Sequence, residues 1–251
     1  MGWSTPPPDF TTRILKHERP VLAGLAALIV LSWYFLASGA GLGHAAGGGM
    51  DMPGMAPPPL TALILMWWLM MAAMMLPSAT PAILLYGRVR SAHEKRPDVA
   101  STGVFLAGYL AVWFVFSVLA AIAQQRLTGP AMALESSLAR ASLLIAAGIY
   151  QLTPLKRACL SQCQSPAQFI SRHWRPGTVG AFRLGVLHGA YCVGCCWLLM
   201  ALLFVGGIMN FAWIAALTLL VLLEKLLPGG KWVARLSGIA LIIWGLALAL
   251  S

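Results

Sequence analysis

Residues 183–200 read RLGVLHGAYCVGCCWLLM and decide how the rest of this chain is interpreted. They lie in an apolar run long enough to cross a bilayer, which takes roughly 20 residues of helix. The run also holds four side chains that can bind a metal, His188, Cys192, Cys195 and Cys196. Because a helix turns by about 100° per residue, all four fall on about one third of its surface. Soft-donor and polar groups gathered on one face of a membrane helix indicate a functional site.

The same stretch also allows a purely structural interpretation. A free Cys behaves as a small hydrophobic residue and is often simply buried in a core. Gly185 and Gly189 lie on the same side as the donors, in the G-x-x-x-G spacing that lets a second helix approach closely. We therefore expect this face to pack against another helix, whether or not it binds a metal.

Composition places the chain among membrane proteins. It has 251 residues, of which 59% are hydrophobic and only 10% are charged, and its mean hydropathy is +0.80. The formal net charge of +10 does not indicate nucleic-acid binding, because the basic residues lie in short segments between apolar runs. The motif G-x-x-x-x-G-K-[ST] is absent from the sequence, which argues against a nucleotide partner. Membrane lipid is the partner that this composition predicts.

The apolar runs predict an all-α, polytopic membrane helix bundle of about seven transmembrane helices. The predicted bounds are 21–42, 61–87, 101–125, 139–158, 183–205, 210–227 and 232–250. Fifteen of the 17 Lys and Arg residues lie in the N-terminus or in the segments around the ends of the second, fourth and sixth helices. This asymmetry predicts an N-terminus inside and a C-terminus outside. Residues 1–20 are then a cytoplasmic segment, and 21–251 form a transmembrane metal-binding domain.

The loop at 43–60 reads GHAAGGGMDMPGMAPPPL and contains no Lys or Arg, which predicts an outer position. Thioether and imidazole donors suit copper, and thioethers suit Cu(I) especially. The candidate ligands in this loop are His44, Met50, Met52 and Met55. The alternative is a flexible linker that happens to carry methionines.

The second helix carries five methionines on two neighbouring stripes, Met66, Met70 and Met74 on one and Met71 and Met75 on the other. Such stripes are often core packing, but four of these residues, Met70, Met71, Met74 and Met75, are also candidate copper ligands. Pro77 and Pro81 should kink the inner half and free backbone carbonyls there. Met74 and Met75 fall at the depth of Cys192–Cys196, so thioethers and thiols would meet if the two helices touch.

The connection at 156–183 is predicted to be a cytoplasmic loop that holds Cys159 and Cys163 one helical turn apart. The C-x3-C spacing is weaker than a zinc signature, which needs a second ligand pair at fixed spacing. The two residues are candidate metal ligands, or else reduced thiols without a role. Further on, Glu224 is expected to pair with Lys225, with Lys231 or with an arginine of another inside loop.

Five strings together resemble one bacterial family of predicted metal-binding integral membrane proteins, mostly of unknown function. The strings are MAAMMLPSATP, YQLTPLKRACLSQC, HGAYCVGCCW, GGIMN and EKLLPGG, and the resemblance covers about residues 60–250. Some members are described as membrane copper chaperones that load tyrosinase-type copper oxidases. The resemblance implies an inner-membrane location and metal handling by His188, Cys192, Cys195, Cys196, Cys159 and Cys163. It does not extend to the outer methionine loop.

The donor types favour copper, because Cys and Met are soft ligands that select Cu(I). A structural zinc site needs four closed ligands, and one helix cannot easily supply them. His188 and Cys196 are separated by about 12 Å of helical rise, so low-coordinate pairs stacked along the helix fit better. We therefore expect a relay of Cu(I) through Met and Cys/His sites, which ends at a copper-receiving metalloenzyme. Zinc is the less favoured metal.

Cys192 and Cys195 also form a C-x-x-C pair, which allows a second interpretation as a membrane thiol–disulfide oxidoreductase. That function would need a thiol route to outer substrates, yet the predicted outer loops contain no Cys. It would also leave His188 and Cys196 unexplained. The expectation is therefore a metal-handling protein that is not an enzyme.

Overall fold

The computed structural model describes residues 8–38, 58–94, 98–128 and 133–250, and all regular secondary structure within these ranges is helical. This confirms the all-α class. The ten helices are α1 (Pro8–Ala37), α2 (Leu60–Glu94), α3 (Val99–Leu127), α4 (Ser137–Leu152), α5 (Pro154–Gln164), α6 (Pro166–His173), α7 (Gly177–Ala201), α8 (Leu203–Gly206), α9 (Phe211–Leu226) and α10 (Gly230–Leu250). Four predicted copper ligands, His44, Met50, Met52 and Met55, lie outside the described residues and stay predictions.

Within the described ranges, five helical segments are long and apolar enough to cross a membrane. They are Arg19–Ala37, Leu60–His93, Val99–Leu127, Gly177–Gly206 and Gly230–Leu250. The pair α4 and α5 adds a sixth if it counts as one span bent by 65°. Helix α9 has 16 residues, which at 1.5 Å per residue gives about 24 Å and falls short of a roughly 30 Å hydrocarbon core. The membrane class agrees with the prediction, while seven spans and their orientation stay predictions.

The connection at 156–183, predicted as a loop, is largely helical. The helix predicted at 139–158 ends at Leu152, because the ring of Pro154 cannot continue it but suits the first turn of a new helix. The Thr153 side chain caps that new helix by accepting a hydrogen bond from the Lys156 backbone N–H at 3.2 Å. Helices α5 and α6 and the start of α7 occupy the rest of the segment. The segment is therefore mostly helical rather than an irregular loop, while its position on the inner side of the membrane stays a prediction.

The two prolines of α2 lie inside a helix that continues to Glu94. Pro77 has no N–H to donate to the carbonyl one turn earlier, at Ala73. The indole Nε1–H of Trp33, on α1, donates to that Ala73 oxygen at 3.1 Å. The prediction of a freed carbonyl is thus confirmed at this position, and its use explains part of the packing of α1 on α2.

Helices α3 and α7 cross at very short distance, as the G-x-x-x-G spacing predicts. A Cβ atom at Gly185 would overlap the carbonyl oxygen of Phe105, and one at Gly189 would lie 3.1 Å from the carbonyl oxygen of Tyr109. Reciprocally, a Cβ at Gly108 would overlap the carbonyl oxygen of Phe182. The crossing places Tyr109 of α3 directly against the donor face of α7.

A buried ion pair joins α5 to α9. Lys156 Nζ lies 2.6 Å from Glu224 Oε2, and both side chains are almost completely buried. Gln151 Nε2 donates to the other Glu224 carboxylate oxygen at 2.7 Å. The expectation that Glu224 pairs with Lys225, Lys231 or a loop arginine is therefore wrong. Its partner is Lys156, because α5 is a helix packed into the bundle and not a loop.

The start of α3 is held by Asp98, which lies before the membrane-spanning part of this helix. Its side chain accepts hydrogen bonds from the Ser101 backbone N–H at 2.9 Å and from the Ser101 hydroxyl at 2.6 Å. Arg90 Nε of α2 donates to it at 3.2 Å. Burial alone would raise the pKa of Asp98, but the hydrogen bonds from Ser101 and the Arg90 charge outweigh it and lower the pKa. Asp98 therefore stabilises the α2–α3 junction as a carboxylate.

We predict that Gly185→Ala lowers the free energy of unfolding in detergent by about 1–3 kcal/mol, since the new methyl group meets backbone atoms of α3 that cannot rotate away. Gly103→Ala is the matched control, because no atom lies within 4 Å of a Cβ at that position. The control should leave stability unchanged or raise it by up to about 1 kcal/mol. Equal unfolding midpoints for the two variants, followed by circular dichroism, would contradict the close crossing.

Candidate metal centre

The predicted donor face of α7 is turned into the bundle. The side chains of His188, Cys192, Cys195 and Cys196 are each at most 3% exposed, whereas Trp197 is 41% exposed. The thiols of Cys195 and Cys196 donate to the Cys192 carbonyl oxygen at 3.1 and 2.9 Å. These bonds run within the helix, so the two sulfur atoms stay close to Cys192.

The structure brings the α5 cysteines to this face. Cys163 is partly buried and packs against the same core cluster as Cys192 and Cys195. Cys159 lies beside α7 at Gly194, where a Cβ would be only 2.9 Å from the Cys159 sulfur. The sequence placed these cysteines in a separate cytoplasmic loop. That separation is wrong, because α5 folds back along α7 and makes one cluster from two motifs.

Helix α2 adds a thioether to the cluster. Met75 Sδ lies 3.8 Å from Cys196 Sγ, so the meeting of methionine and thiol, which depended on contact between the two helices, is confirmed for this residue. Met70, Met71 and Met74 are also fully buried and belong to the hydrophobic core. Their role as ligands stays a prediction, and core packing explains their burial equally well.

Two further residues reach the sulfur atoms and were not singled out as site residues from the sequence. Lys225 Nζ of α9 lies 2.9 Å from Cys192 Sγ, 3.3 Å from Ser78 Oγ and 3.8 Å from Met75 Sδ. The Tyr109 hydroxyl of α3 lies 3.1 Å from Cys192 Sγ. A signal existed for Lys225, since it is a basic residue at the end of an apolar helix, next to Glu224. Its position in the sequence indicated only a partner for that carboxylate.

Adjacent residues on a helix point about 100° apart, which separates the two charges at this end of α9. Glu224 points to Lys156 on α5, whereas Lys225 points to the thiols. Within the described part of the chain, the polar contacts of Lys225 are with sulfur and hydroxyl groups and include no carboxylate. The centre therefore combines a buried cation with several ionisable sulfur atoms.

His188 lies one turn before Cys192 in an aromatic surrounding. The centroid of its ring is 6.1 Å from that of Phe105, 5.8 Å from that of Tyr109 and 5.2 Å from that of Phe169. Its Nδ1 atom is buried and has no hydrogen-bond partner. Buried polar atoms are usually paired, so an unpaired imidazole nitrogen beside Cys192 is an available donor.

The arrangement does not resemble a closed zinc site. Among the residues that the structure describes, no group of three or more His, Cys, Asp or Glu side chains is disposed to hold one metal ion. What it contains is neighbouring sulfur atoms from three helices, with the thioether of Met75 among them. Thiolate and thioether donors in small numbers suit a soft ion such as Cu(I).

The fold and this sulfur cluster define a helical protein of membrane type that carries soft metal donors in its interior. The model of the PpoB2 family, described as copper chaperones, matches residues 64–248, and the chain belongs to this family. This confirms the resemblance drawn from the sequence motifs. Comparison with curated proteins and with solved structures gives no match. Membership in a copper chaperone family implies, in general, a partner that receives copper.

We predict that Cys163 and Cys195 can be joined by a short bifunctional thiol reagent in a variant whose other three cysteines are Ser. Trypsin cleaves after Arg172 and Arg183, between the two cysteines, so a link holds the two fragments together in a denaturing gel. The single-thiol variant with Cys163→Ser is the control and should separate into fragments. Separation of the fragments in the two-cysteine variant, with both thiols reactive toward a monofunctional reagent, would contradict the packing of α5 on α7.

Proposed function

We propose that this protein is an integral-membrane copper chaperone or transporter, which binds Cu(I) through sulfur donors and passes it to a copper-receiving enzyme. The observation that carries the proposal is that α2 and α5 both bring sulfur to the buried thiols of α7. Met75 Sδ lies 3.8 Å from Cys196 Sγ, and the Cys159 sulfur lies against Gly194. Membership in a copper chaperone family supports copper as the cargo. Zinc is less favoured, because the donors do not form a closed four-ligand set.

The donors suggest a path as well as a site. The methionines of the outer loop, Met50, Met52 and Met55, together with His44, would capture Cu(I) weakly. The buried methionines of α2 continue toward the thiols, and thiolates bind Cu(I) more strongly than thioethers. Cys159, beside Gly194 of α7, and His188, one turn before Cys192, extend the set of donors in two directions. A succession of low-coordinate sites of rising strength would move the ion inward.

The proposed setting is the bacterial inner membrane, with the N-terminus inside, the C-terminus outside and lipid around the apolar helices. The exposed faces of α3 and α10 support this surrounding, since they carry large apolar side chains such as Leu119 and Ile243. We do not propose an enzymatic activity. The competing function is a thiol–disulfide oxidoreductase that uses Cys192 and Cys195. The position of Lys225 next to Cys192 favours it, because basic neighbours activate redox thiols.

We predict that Cys192→Ser reduces the copper bound per protein more strongly than Cys159→Ser. Cys192 contacts Lys225 and Tyr109, and its carbonyl oxygen accepts from the Cys195 and Cys196 thiols, whereas Cys159 lies outside this group, at Gly194. The measurement is the copper content of protein purified without chelators, together with X-ray absorption to identify sulfur ligands. Met75→Leu, which keeps an apolar side chain of similar size, should lower the sulfur coordination number.

Full copper occupancy with unchanged sulfur coordination in Cys192→Ser would refute the assignment of this residue. A reversible disulfide between Cys192 and Cys195, detected by thiol trapping and unaffected by copper, would favour the oxidoreductase. Protection of the thiols by Cu(I) would favour the carrier. The two functions therefore predict different results from the same trapping experiment.

The proposed orientation predicts the labelling of single cysteines in intact cells, in a variant that lacks the native ones. Gly48→Cys lies in the outer loop and should react with an impermeant thiol reagent. Ser171→Cys, at an exposed position on α6, should react only after the membrane is opened. Labelling of position 171 but not of position 48 in intact cells would show the opposite orientation.

A further inference from the structure

We infer that Lys225 sets the charge preference of the sulfur cluster and makes it select a monovalent ion, Cu(I), over a divalent ion such as Zn(II). The inference rests on the proposed function, because it concerns the same cluster. Lys225 is only 5% exposed, and its Nζ lies 2.9 Å from Cys192 Sγ and 4.0 Å from Cys196 Sγ. These contacts put its positive charge within the first layer of atoms around the donors.

Among the residues that the structure describes, no other charge balances Lys225. Glu224 is the neighbouring carboxylate, and it forms its ion pair with Lys156 at 2.6 Å. That pair is neutral as a unit. The remaining groups around Lys225 Nζ are the Ser78 hydroxyl, the Met75 thioether and the cysteines. The charge that compensates Lys225 must therefore come from the thiols, from the metal complex that they form, or from both.

The charge of that complex depends on the ion. When two thiols bind Cu(I), two Cu–S bonds form and two protons leave, so the complex carries a charge of −1. With the ammonium of Lys225 the sum is zero. When the same two thiols bind Zn(II), two protons also leave, but the complex is neutral. The net charge of the complex and Lys225 together is then +1. A buried net charge is strongly unfavourable, so Lys225 favours the monovalent ion.

A zinc complex with three thiolates would also balance Lys225. The described residues do not offer it, since they contain no group of three or more His, Cys, Asp or Glu side chains disposed to hold one ion. The relevant complex therefore has Cys192, one further thiolate of the cluster and the Met75 thioether, which adds a donor but no charge. Under this donor set, Lys225 is a residue that determines specificity and does not itself bind the metal.

The test compares the affinities for Cu(I) and Zn(II) of the full chain in detergent, each measured against a chelator of known affinity in the absence of oxygen. We expect Lys225→Met to lower the preference for Cu(I) over Zn(II) by about tenfold or more. Without the lysine, the buried Zn(II) complex is neutral, whereas the Cu(I) complex carries an unbalanced charge of −1. Lys225→Arg keeps the charge and should stay within about threefold of the wild type. Lys231→Met is the matched control, since Lys231 is exposed at the start of α10.

The ratio of the two affinities separates this role from a structural one. A variant that only loosens the cluster would weaken both ions together and leave their ratio unchanged, which would overturn the inference. Ag(I) and Cd(II) give a second comparison, because both are thiophilic and differ in charge, and the wild type should prefer Ag(I). If Lys225→Met does not fold, the inference is tested by Lys225→Gln and by the preference of the wild type for Ag(I) over Cd(II). Failure of the wild type to bind Cu(I) would refute the proposed function instead.

Discussion

The buried ion pair between Lys156 and Glu224 is the interaction on which the centre depends. It holds α5 against α9 in the interior, where two isolated charges would be strongly unfavourable but a closely paired and hydrogen-bonded set is tolerated. With α5 in this place, the Cys159 sulfur lies against Gly194 of α7, and Cys163 packs against the same core cluster as the α7 thiols. With Glu224 committed to Lys156, the neighbouring Lys225 is left to face sulfur. Loss of Lys156 or Glu224 would change both the position of the α5 cysteines and the charge near the α7 thiols.

The close crossing of α3 and α7 provides the second condition for the centre. Gly185 and Gly189 leave α7 without side chains at the crossing, so the backbones approach and Tyr109 of α3 comes to lie 3.1 Å from Cys192 Sγ. In lipid, helices associate mainly through such packing and through interhelical hydrogen bonds, because the surrounding solvent is as apolar as their side chains. The glycines of α7 therefore allow close helix packing and, through it, place the Tyr109 hydroxyl next to the Cys192 thiol.

A chaperone must bind its cargo selectively and also release it, and the composition of this centre suits both demands. In the proposed function, thiolates would supply affinity for Cu(I), while the Met75 thioether would add a weak and neutral ligand. Neighbouring sulfur atoms within a single cluster allow an ion to exchange ligands in steps without complete dissociation. The proposed role of Lys225 adds discrimination between ions through the net charge of the complex.

Hydropathy, the spacing of His188, Cys192, Cys195 and Cys196 and the small residues beside them were sufficient, without coordinates, to predict a helical membrane protein with a buried donor face on α7. Those features depend on helical periodicity, which is local along the chain. The break at Pro154, the return of α5 along α7, the pairing of Lys156 with Glu224 and the contact of Lys225 with Cys192 were decided only by the tertiary structure. Most of these features join residues from different helices, and a single sequence carries no local signal for which helices meet. Nor does it show that Glu224 faces Lys156 while the adjacent Lys225 faces the thiols.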